Sequence, residues 1–99
     1  MKLQFSPDAV ADIIEYEALI RRDNPLAAEQ WTESIFEHAD RLLNFPNSGR
    51  IVPEFNRPDL REVLVHSHRV VYRIRGNSVQ IVRVYHSARL LRESDLGEE

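Results

Sequence analysis

Residues 60–86 read LREVLVHSHRVVYRIRGNSVQIVRVYH, and the pattern in this stretch decides the fold class. Three runs rich in β-branched residues, Leu60 to Val65, His68 to Arg75 and Val79 to His86, are separated by His66-Ser67 and by Gly76-Asn77-Ser78. Short polar or glycine-containing breaks between such runs are tight turns, so the stretch predicts an antiparallel three-stranded meander. Strand side chains alternate between faces. In the second hairpin Val70, Tyr72, Ile74, Val79 and Ile81 therefore share one face, and Arg69, Arg73 and Arg75 lie with Val71, Val82 and Val84 on the other. The first set is the expected core face, and the arginine face is expected to stay open.

Upstream of the meander the period changes from two to three or four. Lys2 to Phe5 alternates like a short strand and runs into Ser6-Pro7, a cap and first-turn pair that opens a helix. From Pro7 to about Arg22, Val10, Ile13, Ile14, Tyr16 and Ile20 form the expected inner stripe, with Asp8, Asp12 and Glu15 on another face. Asn24-Pro25 repeats the opening signal for a second helix. Ala28, Trp31, Ile35, Ala39 and Leu42 face inward there, and Glu29, Glu33, Glu37 and Arg41 outward. Trp31 at helical spacing among Ile and Leu reads as core packing. The Pro, Asn and Gly of Phe45 to Arg50 end the second helix near Leu43, and a loop continues through Pro58. A helical hairpin laid over the meander gives an α+β sandwich of two layers, read as one domain over residues 1–99.

Composition narrows the function classes. At 99 residues, with 42% hydrophobic and 29% charged, the chain has material for one core and not for two. It has no cysteine, so neither disulfides nor thiolate metal sites are expected. The start lacks a signal-peptide pattern and no run approaches the roughly 20 apolar residues of a membrane span, which points to a cytoplasmic protein with no membrane partner. The net charge of −3 conceals a division. Residues 1–49 carry four basic against nine acidic side chains, net −5; residues 50–92 carry nine arginines, and no lysine, against Glu54, Asp59 and Glu62, net +6. Arginine forks suit carboxylates, phosphates and base edges, so the second half reads either as a recognition surface for an acidic partner or as a solubilised sheet face.

Chemistry is sparsely signalled. No glycine-rich phosphate loop, nucleophile elbow or His-Glu-x-x-His helix is present, so nucleotide hydrolysis, acyl transfer and zinc proteolysis have no motif. His66-Ser67-His68 offers two imidazoles without a third ligand, so no metal and no cofactor are expected. The remaining polar set is Glu54 in the loop, Arg61, Arg73 and Arg83 on strands, and Tyr85, His86 and Arg89 at the end of the last strand. A carboxylate, an imidazole, a phenol and several guanidiniums are an inventory for metal-free RNA cleavage, provided they converge.

Several strings carry a family resemblance. Gly49-Arg50-Ile51-Val52-Pro53-Glu54, Leu60-Arg61-Glu62-Val63, Arg69-Val70-Val71-Tyr72-Arg73-Ile74 and Val84-Tyr85-His86-Ser87-Ala88-Arg89, after a Phe5-Ser6-Pro7-Asp8-Ala9 start, resemble the RelE/ParE toxins in order and spacing. The resemblance implies a growth-inhibiting toxin, as in plasmid-stabilisation modules, that forms a hetero-oligomer with a cognate antitoxin protein. The resemblance also implies that the antitoxin's disordered C-terminal segment wraps the toxin; the weakly protected edge of a small sheet and the arginine excess facing an acidic peptide point to strand addition or to a helix laid on the hairpin. Two activities follow from the two branches. ParE-type members with known targets act on DNA gyrase, and RelE-type members cut messenger RNA on the ribosome. The His86-Ser87-Ala88-Arg89 ending is closer to the ParE branch. Tyr85-His86 also resembles the YoeB-like nuclease ending, whose aromatic residue after the His is Ser87 here. The nuclease reading would use Glu54, Arg61, Arg73, Tyr85 and His86. Target or antitoxin binding would use Arg50, Arg61, Arg69, Arg73, Arg83 and Arg89, with Arg61 and Arg73 expected to be exposed and of little weight in stability.

Overall fold

The computed structural model describes residues 1–97. Strand β1 (Lys2–Phe5) leads into helices α1 (Pro7–Asp23) and α2 (Pro25–Arg41). Strands β2 (Arg50–Ile51), β3 (Leu60–Val65), β4 (His68–Arg75) and β5 (Ser78–His86) follow, then a 3-10 turn at Glu93–Leu96. The five strands form one sheet in the order β1-β5-β4-β3-β2. The meander is antiparallel throughout, and β1 joins β5 in parallel, Lys2 opposite Ser78 and Phe5 opposite Ile81.

Capping side chains set the helix ends. The Ser6 hydroxyl accepts from the Ala9 amide at 3.0 Å and donates to the Val82 carbonyl at 2.8 Å, so one side chain starts α1 and ties that start to β5. Asn24 ends one helix and begins the next. Its amide donates to the Ile20 carbonyl at 2.9 Å and its Oδ1 accepts from Ala27 at 3.1 Å, with proline following at the first position of α2. One shared cap leaves no room for a longer connection, and the helices fold back on each other.

The helical layer covers one sheet face. Trp31, Ile35 and Ala39 of α2, with Leu42 at its C-terminal cap, meet Val65, Val70, Tyr72, Val79 and Ile81, as the period predicts. On α1 the inner stripe is Ala9, Ile13, Tyr16 and Ile20, whereas Val10 and Ile14, expected inward, are 43% and 64% exposed. The phase of α1 is set by polar contacts at its start: Ser6 on Val82, and the expected outward residue Asp12, which is buried against β5.

Two further expectations are corrected. The pairing of β4 with β5 shifts between Val71, opposite Arg83, and Tyr72, opposite Ile81, so Val82 is an extra residue in β5. Past this bulge the alternation restarts, and Val84 joins the helical core instead of the arginine face. That arginine face is not open. Val71, Val82 and Tyr85 are buried with Leu60, with Val52 from the loop that also contains β2, and with Leu91 and Leu96 from the C-terminal segment. Arg69 and Arg73 are buried under this cover, 4% and 2% exposed. A sheet face carrying Val71, Val82 and Tyr85 is too apolar to leave in water. The segments that cover it are irregular and show no period in the sequence.

The loop into β2 is held by Tyr72, whose hydroxyl donates to the Pro46 carbonyl at 2.6 Å and accepts from the Gly49 amide at 3.0 Å. A Cβ on Gly49 would sit 2.6 Å from both the Glu62 carbonyl oxygen and the Tyr72 hydroxyl, so this position has room only for glycine. Gly49→Ala is expected to cost about 1–3 kcal/mol, the range of overpacked sites. A urea melt checks this, and a midpoint equal to wild type would contradict the packing described.

Candidate functional site

The covered face of the sheet is organised by Arg69 of β4. Its Nη1 and Nη2 grip the Glu54 carboxylate at 2.7 Å each. Its Nε and Nη2 reach Glu62 Oε1 at 2.8 and 2.6 Å, and Nη1 also donates to the Arg89 carbonyl at 3.1 Å. All five N–H donors of the guanidinium are thereby engaged. The second oxygen of Glu62, whose side chain is fully buried, takes Arg50 Nε at 2.6 Å, so two guanidiniums and two carboxylates close a neutral network. Glu54 accepts in addition from the Leu91 amide at 2.9 Å. The Arg69 hydrogen bonds, assisted by Leu91 and opposed by burial, hold the Glu54 carboxyl down at about 2, and Glu54 in turn pushes Arg69 above its ordinary value.

Beside this network Tyr85 lies in a stack of cations. Arg83 and Arg89 place their guanidinium carbons 4.5 and 4.1 Å from its ring centroid. Arg83 is anchored by Asp12 of α1, with Nε to Oδ2 at 2.8 Å and Nη2 to Oδ1 at 2.9 Å, and by the Asp95 carbonyl at 3.1 Å. Asp12 also accepts from the Val84 amide at 3.0 Å just past the bulge, where the ladder is locally broken. Burial, reinforced by the Asp95 carboxylate, pushes the Tyr85 phenol up to about 12.

The last strand delivers His86 to the opposite face. Neighbouring strand residues point apart, and His86 joins the helical side, where its ring centroid is 5.6 Å from that of His68. His68 is wedged edge-on against Tyr16 and Trp31, and its Nδ1 accepts from Trp31 Nε1 at 3.1 Å. Indole nitrogen is a donor alone, so this bond requires His68 neutral at Nδ1. Burial, then the neighbouring His86 and His66, push its pKa down. The phenol of Tyr16 accepts from the His86 amide at 3.2 Å.

The residues singled out from sequence thus fall into separate places. Glu54, Arg69 and Arg50 meet in one network, and Tyr85, Arg83 and Arg89 in the adjoining stack. His86 lies across the sheet from Glu54. Arg61, expected to be exposed, is half-buried; it donates to the carbonyls of Pro58 and Gly49 at 3.0 Å each and clamps the loop before β3. Arg73 is buried rather than exposed. Glu62 and Asp12 were not singled out. Glu62 shares strand parity with Leu60 on the covered face, a signal present in the sequence, whereas nothing in the helical period marks Asp12. Among the described residues no group of three His, Cys, Asp or Glu side chains is placed to hold a metal, and no helix is long and apolar enough to cross a membrane.

A general base for RNA cleavage needs a pKa near the working pH and access to the proton it takes. Glu54, ionised down to about 2 and gripped on both oxygens, has neither. Two outcomes are expected. Arg69→Ala leaves Glu54 without its ion pair and the buried Glu62 with Arg50 alone, and should cost about 3–5 kcal/mol in a denaturant melt; an unchanged melt would remove the network from the stability of the fold. His68 has a folded pKa below its ordinary 6.5, so the unfolded chain takes the proton first and stability declines as pH falls below about 6.5. Glu54 adds its own loss only below its unfolded value of 4.5. Urea midpoints read from the single tryptophan at pH 7.5 and 5.5 should fall with acid in wild type and fall less in His68→Gln; equal slopes would contradict the assignment.

Residues 3–91 match the family described as the ParE toxin of the type II toxin–antitoxin system parDE. Toxin RelE2 of Caulobacter vibrioides is 34% identical over 83 residues, which cover 83% of this chain and 90% of that protein. Among solved structures, a chain of the chromosomal ParDE toxin–antitoxin system from P. aeruginosa superposes with a TM-score of 0.73. It is 22% identical, covers 87% of this chain and 95% of its own, and shares the fold.

Proposed function

The chain belongs to the ParE/RelE family of toxins from type II toxin–antitoxin systems, and on that premise we propose that it poisons its target by binding, in the ParE manner, rather than by cutting RNA. DNA gyrase is the target that this branch implies. One observation carries the reading: the carboxylate that a nuclease would use, Glu54, is closed inside the Arg69 ion pair, and His86 stands on the other side of the sheet. Acid–base catalysis needs both groups within reach of one phosphodiester. Binding needs only a surface. The Ser87 that follows His86 supports the same reading, since the nuclease branch has an aromatic residue there.

The antitoxin has two footholds that fit its expected modes. On β3, β2 pairs only with Arg61 and Glu62, so the outer edge of Val63–Val65 has no strand beside it among the described residues, and a peptide strand extends the sheet there. The groove between α1 and α2, about 500 Å³, has the half-exposed Phe36 among carboxylates including Glu29, Glu33 and Glu37. An antitoxin helix seated in it would carry basic residues around an apolar one, whereas an acidic segment belongs with the exposed arginines.

The deciding assay sets the purified toxin against gyrase supercoiling of plasmid DNA and, separately, against messenger RNA on ribosomes. Supercoiling is expected to be inhibited and the messenger to stay intact. Cleavage that His86→Ala abolishes, with supercoiling untouched, would establish the RelE-type activity instead.

A further inference from the structure

Beyond β5 the chain turns sharply and returns beneath the sheet, and the turn is fastened along its length. Ser87 donates to the Ser67 carbonyl at 2.8 Å, and Ala88 to His86 Nδ1 at 3.2 Å. Arg89 donates to the His86 carbonyl at 3.0 Å, and its own carbonyl accepts from Arg69. Leu91 is buried in the second core with its amide on Glu54. Between the two points held by Arg69 and Glu54 stands Leu90, 76% exposed, the highest value among the exposed large apolar side chains.

Scattered surface leucines are ordinary, but this one differs in its setting. Its flanking backbone is bonded to the buried Arg69 and the half-buried Glu54, so the side chain is presented from a rigid base. On either side are exposed guanidiniums, Arg89 lying over Tyr85 and Arg92 at the entry to the 3-10 turn. A hollow of about 470 Å³, bordered by Leu90, Arg89, Arg92, Ser94 and Asp95, runs alongside. An apolar side chain fixed before contact binds without the cost of ordering its loop, and the arginines at its flank are among the residues in which interface binding energy concentrates.

We propose that the Arg89–Arg92 turn is the contact by which this toxin engages its target, with Leu90 as a knob that seats in an apolar notch rimmed by carboxylates on a protein surface. A protein fits better than nucleic acid. Both guanidinium contacts occupy the Tyr85 ring, which leaves no aromatic platform for a base, and Asp95 places a carboxylate in the hollow where a phosphate would approach. The target fits better than the antitoxin. A partner that neutralises the toxin stably needs an interface of about 1,600 Å² in total, of which a single knob supplies only a small part.

The inference rests on the toxin reading but not on gyrase as the target. The test is expression of Leu90→Asp, Leu90→Met and wild type without antitoxin, scored for growth arrest, together with melting curves and antitoxin affinity of the purified proteins. Leu90→Asp is expected to melt like wild type and to bind antitoxin with unchanged affinity. It should need at least about tenfold more protein to arrest growth, the loss typical of a removed anchor, while Leu90→Met keeps its potency. A folded Leu90→Asp that arrests growth like wild type overturns the proposal, as does an equal loss of antitoxin affinity, which would assign the turn to that interface. Loss of arrest on Arg89→Ala and Arg92→Ala with none on Leu90→Asp would make it a phosphate site, and a wild type that arrests nothing removes the proposal. Arrest that depends on Leu90 while gyrase stays uninhibited would leave this contact standing and retire the gyrase reading alone.

Discussion

A guanidinium removed from water between two carboxylates is an expensive arrangement unless every donor is satisfied. Arg69 meets that condition because Glu54 and Glu62 approach from different segments, one from a loop and one from β3, and because the Arg89 carbonyl takes the remaining N–H. Each partner is drawn to the covered face by the same ion. The 52–60 loop brings Val52 and Phe55 with it, and the C-terminal segment brings Leu91 and Leu96, so the second apolar core is assembled around a polar centre. The geometry is bidentate toward Glu54, the form in which Arg–carboxylate pairs are strongest.

The same centre governs what the site can do. Side chains that together would make an acid–base catalyst are divided by the pleat of β5, with Tyr85 beneath the sheet and His86 above it. On the lower side the charges neutralise one another and fix a shape; on the upper side His68, His86, Tyr16 and Trp31 form a close aromatic cluster at the junction of helices and sheet. Members of one fold differ in function through such placements rather than through the fold itself.

Much of this was legible from sequence, for physical reasons that also explain where legibility ended. Ser6-Pro7 and Asn24-Pro25 announce helix starts through local hydrogen bonds, and the Trp31 stripe follows from helical period alone. The meander follows from β-branched runs and turn residues, and the ordered strings of the second half carried the family. What stayed hidden depends on contacts between distant segments. The extra residue at Val82 has no sequence signature, yet it moves Val84 to the other face. Asp12 sits where a helical wheel places a solvent residue, and only the docking of α1 on β5 turns it toward Arg83. The arginine face reads as open in the sequence because its cover is irregular. Glu54 was visible as a polar residue in the right string, but its partner Arg69 decides whether it is a base or a brace.

The parallel pairing of β1 with β5 has a consequence for the birth of the protein. Ser6 bonds to Val82, 76 residues away, and Lys2 to Phe5 align with Ser78 to Ile81, so β1 leaves the ribosome long before the strand that pairs with it. Contacts of that span are closed late, because the intervening chain must be ordered first. The docking site of α1 is likewise on β5, through Asp12 with Arg83 and Val84. During synthesis the α2 segment and the early meander emerge with the helical layer still unseated, and α1 and β1 find their places only after β5 has cleared the exit tunnel.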